Sequence, residues 1–265
     1  MFDFQDGTGF SISAWFTVDS FTKSWQALIA KGEGNRWRVH RRGGESILTG
    51  NGGNGDVPAG ETDVSDGGIH HMVLVSDPDG GEVHLYIDGE LEASNASPAI
   101  QSNDNPMMIG ENPDARNRTW HGMIDDVGIW DRPISAEEVA TIWNDGDGTP
   151  LVTTPAGGRW VSAVPDMIAY WPFDSASEIE GDLVVVDMVD GIEGEVVGSV
   201  TAAEGHIGGA IDFGTGNVDG MVTVQAADSG WLAPASDADQ LSVSLWQKLN
   251  QVKNSSTFWF RAEAA

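Results

Sequence analysis

One stretch near the middle of this chain constrains its fold more than any other: Gly122-Met-Ile-Asp-Asp-Val-Gly-Ile-Trp-Asp-Arg-Pro-Ile-Ser-Ala-Glu-Glu-Val-Ala-Thr-Ile-Trp-Asn-Asp-Gly146. It predicts a half-buried strand over 123–130, a turn at Pro133 and a short helix over 135–145. Ser135 offers an N-cap oxygen, and Glu138, three residues on, reaches back to the Ser135 amide. Ile134 and Val139 staple the helix entry, and Gly146 follows the last turn, where a left-handed residue is needed. Most of the remaining sequence reads as short strands broken by Gly, Asn and Asp. A long all-β domain that closes on one small capped helix is a narrow class of structures.

The strand pattern is clearest in the first 130 residues. After Phe10, Ile12, Ala14 and Phe16 alternate with Ser11, Ser13, Trp15 and Thr17, the period of a strand with two different faces. Residues 70–76 and 82–87 are equally strong, and 26–30, 37–40, 46–48 and 106–110 are shorter. Asp88-Gly89 joins 82–87 to 90–93, and an Asp-Gly pair between alternating runs marks a two-residue hairpin. With 34 Gly and 11 Pro, the chain has the turn residues that so many strands require.

After Gly146 the composition changes. Residues 148–165 read as a linker, and strand signals resume at 167–174, 183–189, 194–200, 210–213 and 221–225. Glu178-Ile-Glu-Gly-Asp182 carries a Gly and reads as a loop. An internal repeat crosses this boundary. Phe10-Ser-Ile-Ser-Ala-Trp15 matches Leu241-Ser-Val-Ser-Leu-Trp246, and at the same offset Ala27-Leu-Ile29 falls on Phe258-Trp-Phe260. Residues 1–147 thus read as one β domain lacking its opening strands, and 166–265 as the N-terminal half of a second copy, in a longer protein with tandem modules.

The net charge is −28, from 41 acidic and 13 basic residues. Nucleic acid and anionic membranes repel such a surface and are not expected as partners. Ca²⁺, which takes carboxylate and carbonyl oxygens, suits it; solubility alone is the other explanation of the acidity. Without cysteine there is no disulfide, no thiolate catalysis and no Cys-ligated zinc. No apolar stretch is long enough to span a bilayer, and no signal peptide is visible after Met1.

The segment 122–146 resembles the C-terminal signature of laminin-G-like domains of the concanavalin A-like lectin superfamily, and the corresponding stretch of pentraxins. Gly68-Ile-His-His-Met-Val-Leu-Val75 resembles the family's W-x-H-V strand, with Ile69 where Trp is usual. Leu85-Tyr-Ile-Asp-Gly89 resembles its hairpin, Ala169-Tyr-Trp-Pro-Phe-Asp174 its opening strand, and Gly208-Gly-Ala-Ile-Asp-Phe213 a further strand. The resemblance implies an antiparallel β-sandwich, or jelly roll, in which the first strand lies beside the last. The strand at 169–173 would then add to the sheet of residues 1–147 and complete it in permuted order; the alternative is two independent partial domains. The resemblance also implies a Ca²⁺ at the sandwich edge, held by Asp174 and by Asp125 or Asp126. By alternation Asp125 shares the core face with Met123, Val127 and Ile129. The alternative is that Asp125 accepts loop amides or meets Arg132.

Catalysis is not expected. Sandwich glycosidases place two or three acids on one face of a Glu-x-Asp-x-(x)-Glu strand, and this chain has no such strand. The neighbours His70 and His71 point to opposite strand faces, so one ion does not take both. Among 11 Trp residues, Trp15, Trp130, Trp171 and Trp246 fall in strand patterns and read as packing residues. Trp37 and Trp120 sit in polar loops with Arg36, Arg116 and Arg118, and these five are the candidate ligand contacts; local charge balance is the other reading of the arginines. The expected function is a non-catalytic carbohydrate- or protein-binding and adhesion module of a larger secreted or surface protein. Its partner would be an extracellular polysaccharide or glycoprotein. A structural spacer repeat, or a targeting module attached to a hydrolase outside this segment, is the alternative.

Overall fold

The computed structural model describes residues 2–4, 7–52, 56, 60–96, 100–153, 161–174, 177–179, 182–189, 191–198, 200–213 and 220–224. The repeat positions 241–246 and 258–260 lie outside the described residues.

Among the described residues the first 130 hold β1 (Phe10–Thr17), β2 (Ala27–Ala30), β3 (Arg38–Arg41), β4 (Leu48–Asn51), β5 (Ile69–Asp77), β6 (Glu82–Ile87), β7 (Glu90–Ala96), β8 (Met107–Ile109) and β9 (Met123–Trp130). The helix α1 (Ala136–Trp143) and the short pair β10 (Val152–Thr153) and β11 (Val161–Ser162) follow. Then come β12 (Met167–Trp171), β13 (Ser177–Ile179), β14 (Asp182–Val186), β15 (Glu193–Val197), β16 (Thr201–Glu204), β17 (Gly209–Asp212) and β18 (Met221–Val224). Two antiparallel sheets form. One runs β16-β17-β9-β1-β5-β6-β7, with β12 also on β9; the other runs β13-β14-β15-β18-β8-β2-β3-β4.

The period-2 pattern of β1 fixes how the sheets face. Phe10, Ile12, Ala14 and Phe16 lie in the core between the sheets, with Leu74 and Ile129 beside Ile12 in register. Ser11 and Trp15 point to the outer face. There Ser11 Oγ donates to Arg132 O and accepts from Ile134 N, each at 2.9 Å, and so ties the turn before the helix to the sheet. At the β6–β7 hairpin, Asp88 and Gly89 have φ of 51° and 79°, the doubly left-handed turn that an Asp-Gly pair favours.

α1 covers the outer face of the first sheet. Ser135 and Glu138 form the reciprocal cap, and Ile134, Val139 and Ile142 join Trp130, Val73, Val75 and Tyr170 in a second apolar cluster. Arg132 reinforces the cap through two bonds to Glu138, at 2.9 and 2.7 Å. The helix ends earlier than expected. Asn144 takes the left-handed position directly after Trp143, with φ 48°, and Gly146 is left-handed as expected, with φ 92°; Asn and Gly tolerate this conformation best.

β9 is the seam of the molecule. β1 lines one side of it. On the other side β12 pairs along Val127–Trp130, and β17 pairs with Met123 and Ile124. In the second sheet β18 pairs with β8, placing Val222 opposite Ile109. Strands after residue 166 therefore enter both sheets. Residues 148–165, read as a linker, carry β10 and β11 and bury Leu151 and Val164 beneath α1. Residues 177–179 and 182, read as part of a loop, belong to β13 and β14, which pair with each other.

Candidate functional site

Three loops meet at one rim of the sandwich: residues 31–37, 101–105 and 111–118. The last is wound around a buried carboxylate. Glu111 Oε1 accepts from the amides of Asn112 and Arg118, and Oε2 from that of Asn117, at 2.9–3.0 Å. Side chains then link the loops to one another. Glu33 Oε1 accepts from Arg118 Nη1 and Asn112 Nδ2, both at 2.7 Å. Asp114 accepts from Asn105 Nδ2 at 2.7 Å and from the Glu33 amide at 3.0 Å. Arg36 Nη1 donates to Glu33 O and stands 3.8 Å from Asp114. Behind them the buried Lys31 donates to Asn103 O and Asn105 O, and its pKa is lowered by burial. Arg116 is exposed, with Nη1 against Met108 Sδ. Arg36 and Arg118 thus join one network through Glu33 and Asp114, and its planar donors and acceptors are fixed by their mutual bonds, while Arg116 stands outside it on Met108.

Trp37 and Trp120 do not belong to that surface, which corrects the expectation that they contact a ligand. Their rings are 1% and 0% exposed and lie in the intersheet core. Trp37 Nε1 donates to Phe2 O at 2.6 Å and Trp120 Nε1 to Thr17 O at 2.9 Å. A large apolar ring between polar loop residues anchors the loop to the core, and its one donor finds a backbone carbonyl. The half-exposed ring nearby is Trp25, which follows Lys23-Ser in an equally polar stretch.

The three candidate metal ligands lie near enough to feel one another's charge, at a different place. Asp125 and Asp126 fall where β12 and β17 part along β9. Asp125 Oδ2 accepts from the amides of His206 and Ile207 at 3.0 and 3.4 Å, and Oδ1 from the Asp126 amide at 2.9 Å. Asp126 accepts from the Tyr170 hydroxyl, while its Oδ2 is buried without a partner. Asp174 Oδ1 accepts from Gly209 N at 2.7 Å. Gly208, with φ 78°, is required there: a Cβ on it would stand 1.8 Å from Asp174 Oδ1.

A β-bulge changes the expected faces of this strand. The register of β1 on β9 shifts between Ser13 and Trp15, and Asp126 is left-handed, with φ 46°. The extra residue puts Ile124, Val127 and Ile129 in the core, while Asp125 lies with Trp15, Met123 and His206 around a small pocket on the outer side. Asp125 therefore does not share the core face with Val127 and Ile129. Arg132, the other partner considered for Asp125, binds Glu138 instead.

Burial dominates the electrostatics of this edge. It pushes Asp125 up to about 7, and pushes Asp126, beside the Asp125 charge, up to about 8. Tyr170 is raised as well, by burial and then by the Asp126 charge. Among the described residues no three acidic or histidine side chains converge on a point fit for a metal ion. The orphaned Asp126 oxygen is the feature that would suit a cation. His70 and His71 do separate across the strand. His70 lies between Asp88 and Asp66, at 2.8 and 3.1 Å, and its pKa is raised first by the Asp88 hydrogen bond. His71 is sealed beside Trp15, and burial lowers it to about 3.

Two facing antiparallel sheets with loops gathered at a rim define a lectin-like sandwich. The family model described as concanavalin A-like lectin/glucanases superfamily matches residues 2–140, more than half of the sequence, and the chain belongs to that family. Among solved structures, it is similar to a Bacteroides ovatus protein provisionally described as carbohydrate binding. The TM-score is 0.53 and the identity 18%, over 71% of this chain and 52% of that one. The chain thus spans about half the length of that structure. Weaker likenesses are to a heptameric SAP-like pentraxin of Limulus polyphemus (TM-score 0.42, 14% identity, 60% of this chain and 82% of that one), and to the CBM40 of a Ruminococcus gnavus IT-sialidase bound to α2,3-sialyllactose (TM-score 0.40, 17% identity, 50% and 80%). No curated protein matches the sequence. No described helix is long and apolar enough to cross a membrane.

Proposed function

We propose that the chain is a non-catalytic carbohydrate-binding module, part of a larger secreted or surface protein. It would hold an extracellular polysaccharide, or the glycan of a glycoprotein, at the rim built by residues 31–37, 101–105 and 111–118, which carries Arg36, Arg116 and Arg118. One observation carries this reading. The rim presents guanidinium, carboxamide and carboxylate groups already locked to one another, so little ordering is needed when they bind sugar hydroxyls. The Bacteroides ovatus relative's description agrees with it. Of the carboxyls with raised pKa, Asp125 and Asp126 are 3% and 2% exposed, out of reach of a glycosidic bond, and Asp19 is exposed. A spacer repeat would also fold this way, because fold does not confer function.

The test is binding to a panel of soluble polysaccharides, with Arg116→Ala/Arg118→Ala as the control. Retention of the wild type on at least one glycan, lost in the double variant at unchanged melting temperature, supports the reading. No retention on any glycan favours the spacer. Ca²⁺ at Asp126 and Asp174 is a separate proposal, with water and backbone oxygens completing the shell. A melting temperature that climbs with added Ca²⁺ supports it, and a flat titration with Ca²⁺ retires it.

A further inference from the structure

Resting on the carbohydrate reading, we infer that Trp25 is the stacking platform of a subsite for anionic polysaccharide, with Lys23 and Arg42 as its cationic flanks. Seven tryptophans are described, and five of them are fully buried. Trp143 stacks on Trp15 at 5.2 Å and closes over Gly89. Trp25 is partly exposed, as Trp143 is, and its described ring contact is a tilted one to His40, 5.2 Å between ring centres.

Its backbone is the second observation. Trp25 has φ 62°, a left-handed conformation that disfavours bulky side chains and usually falls to Gly or Asn. Such strain persists only where the surroundings over-determine it. Here they do. The Trp25 amide donates to Gly43 O at 3.0 Å, and the Lys23 amide to Gln26 Oε1 at 2.8 Å. The buried Arg41 guanidinium bonds the carbonyls of Lys23, Gly44 and Glu45, and so clamps this loop onto the β3–β4 turn. Gly43 and Gly44 leave that turn without side chains. A Cβ at 43 would touch the indole at 3.7 Å, whereas one at 44 would meet nothing. The result is a fixed ring beside a bare shelf, and such a surface suits the C–H face of a sugar ring.

Charge selects the kind of sugar. Eight of the nine described Lys and Arg residues fall in residues 23–42 and 116–118. Those segments touch where Ala27 N donates to Arg118 O at 2.7 Å. Lys23 and Arg42 have no ion-pair partner among the described residues; Asp56, which is paired with Arg38, feels the Arg42 charge. Lys31, Arg36, Arg38 and Arg118 are paired with acids, so among the described residues Lys23, Arg42 and Arg116 offer an anion the charge that acids leave unpaired.

The experiment titrates the full chain with polygalacturonate, dextran sulfate, dextran and arabinan, at low and high salt. Trp25→Gly removes the ring and suits the left-handed backbone; Lys23→Gln/Arg42→Gln keeps the ring and removes the charges. Binding to polygalacturonate or dextran sulfate, weakened at least tenfold in each variant and by salt, is expected. The polymer that binds tells carboxylate from sulfate recognition. If Trp25→Gly melts below the wild type, the Lys23→Gln/Arg42→Gln result decides. Unchanged polyanion affinity in both variants overturns the inference, as does binding confined to dextran or arabinan, which leaves the rim reading standing. Binding to none of the four overturns the inference as well, and the wider glycan panel then decides the rim reading.

Discussion

The acid cluster along β9 and the arginine rim are both built from charged side chains held by hydrogen bonds, yet they differ in one respect. At β9 the carboxylates face inward. Asp125 takes three amides and Asp126 a buried hydroxyl, so their carboxyl groups organise the joint between β9, β12 and β17. At the rim, Glu111 does the same inward work, but Arg36, Arg116 and Arg118 are left partly in solvent. The contrast teaches that a perturbed pKa does not by itself mark a functional site. Buried charge here reads as architecture, and the outward donors read as recognition.

That comparison can be broken in order of effect. A chain stopped at residue 147 loses the strands that pair with β8 and β9 and uncovers Trp130 and Ile129. We expect no cooperative thermal transition; full wild-type stability would show that residues 1–147 stand alone. Trp120→Ala empties a core position and is expected to cost about 3–5 kcal/mol in urea unfolding. A loss below about 1 kcal/mol would return Trp120 to the surface, where it could meet ligand.

The third effect is a pH dependence. Asp126 has a folded pKa raised to about 8, so its contribution to stability is complete below the unfolded value and is lost as pH rises. His71, lowered to about 3, works the other way: its contribution is complete above its unfolded value of 6.5 and is lost on acidification. The two oppose each other between pH 4 and 6.5. From pH 6.5 to 8 Asp126 acts without that opposition, with Asp125 up to about 7 and the raised His70 adding loss of the same sign, and the Asp126 part should be on the order of 1 kcal/mol per pH unit. Asp126→Asn keeps an acceptor for Tyr170 and should flatten that loss. An equal slope in both proteins would place the titration elsewhere.

Much of the fold could be read from residues whose pattern is local. The alternation of β1, the Asp88-Gly89 turn and the Ser135–Glu138 cap each depend on a few neighbours in sequence. The bulge at Asp126 does not, because it lies where β1 on one side and β12 and β17 on the other all pair with β9, and it reversed the faces inferred by alternation. The linker reading of 148–165 had the same fate: Leu151 and Val164 sit in short apolar runs broken by Pro, Gly and Thr, and only the tertiary fold shows that they close the second core. At the rim, the arginines were legible as a cluster. The neighbouring tryptophans misled, since a polar context in sequence does not tell an anchor from a platform. Trp25 shares that context with Trp37 and Trp120, and its left-handed backbone is not written in the sequence.

The most direct test runs Arg116→Ala/Arg118→Ala and Asp126→Asn side by side through gels containing a bound polysaccharide, with a thermal melt of each at pH 8. The account predicts that the arginine variant loses retardation and melts like the wild type, while Asp126→Asn is retarded as before and melts higher. Retardation that survives in the arginine variant and disappears in Asp126→Asn would contradict it.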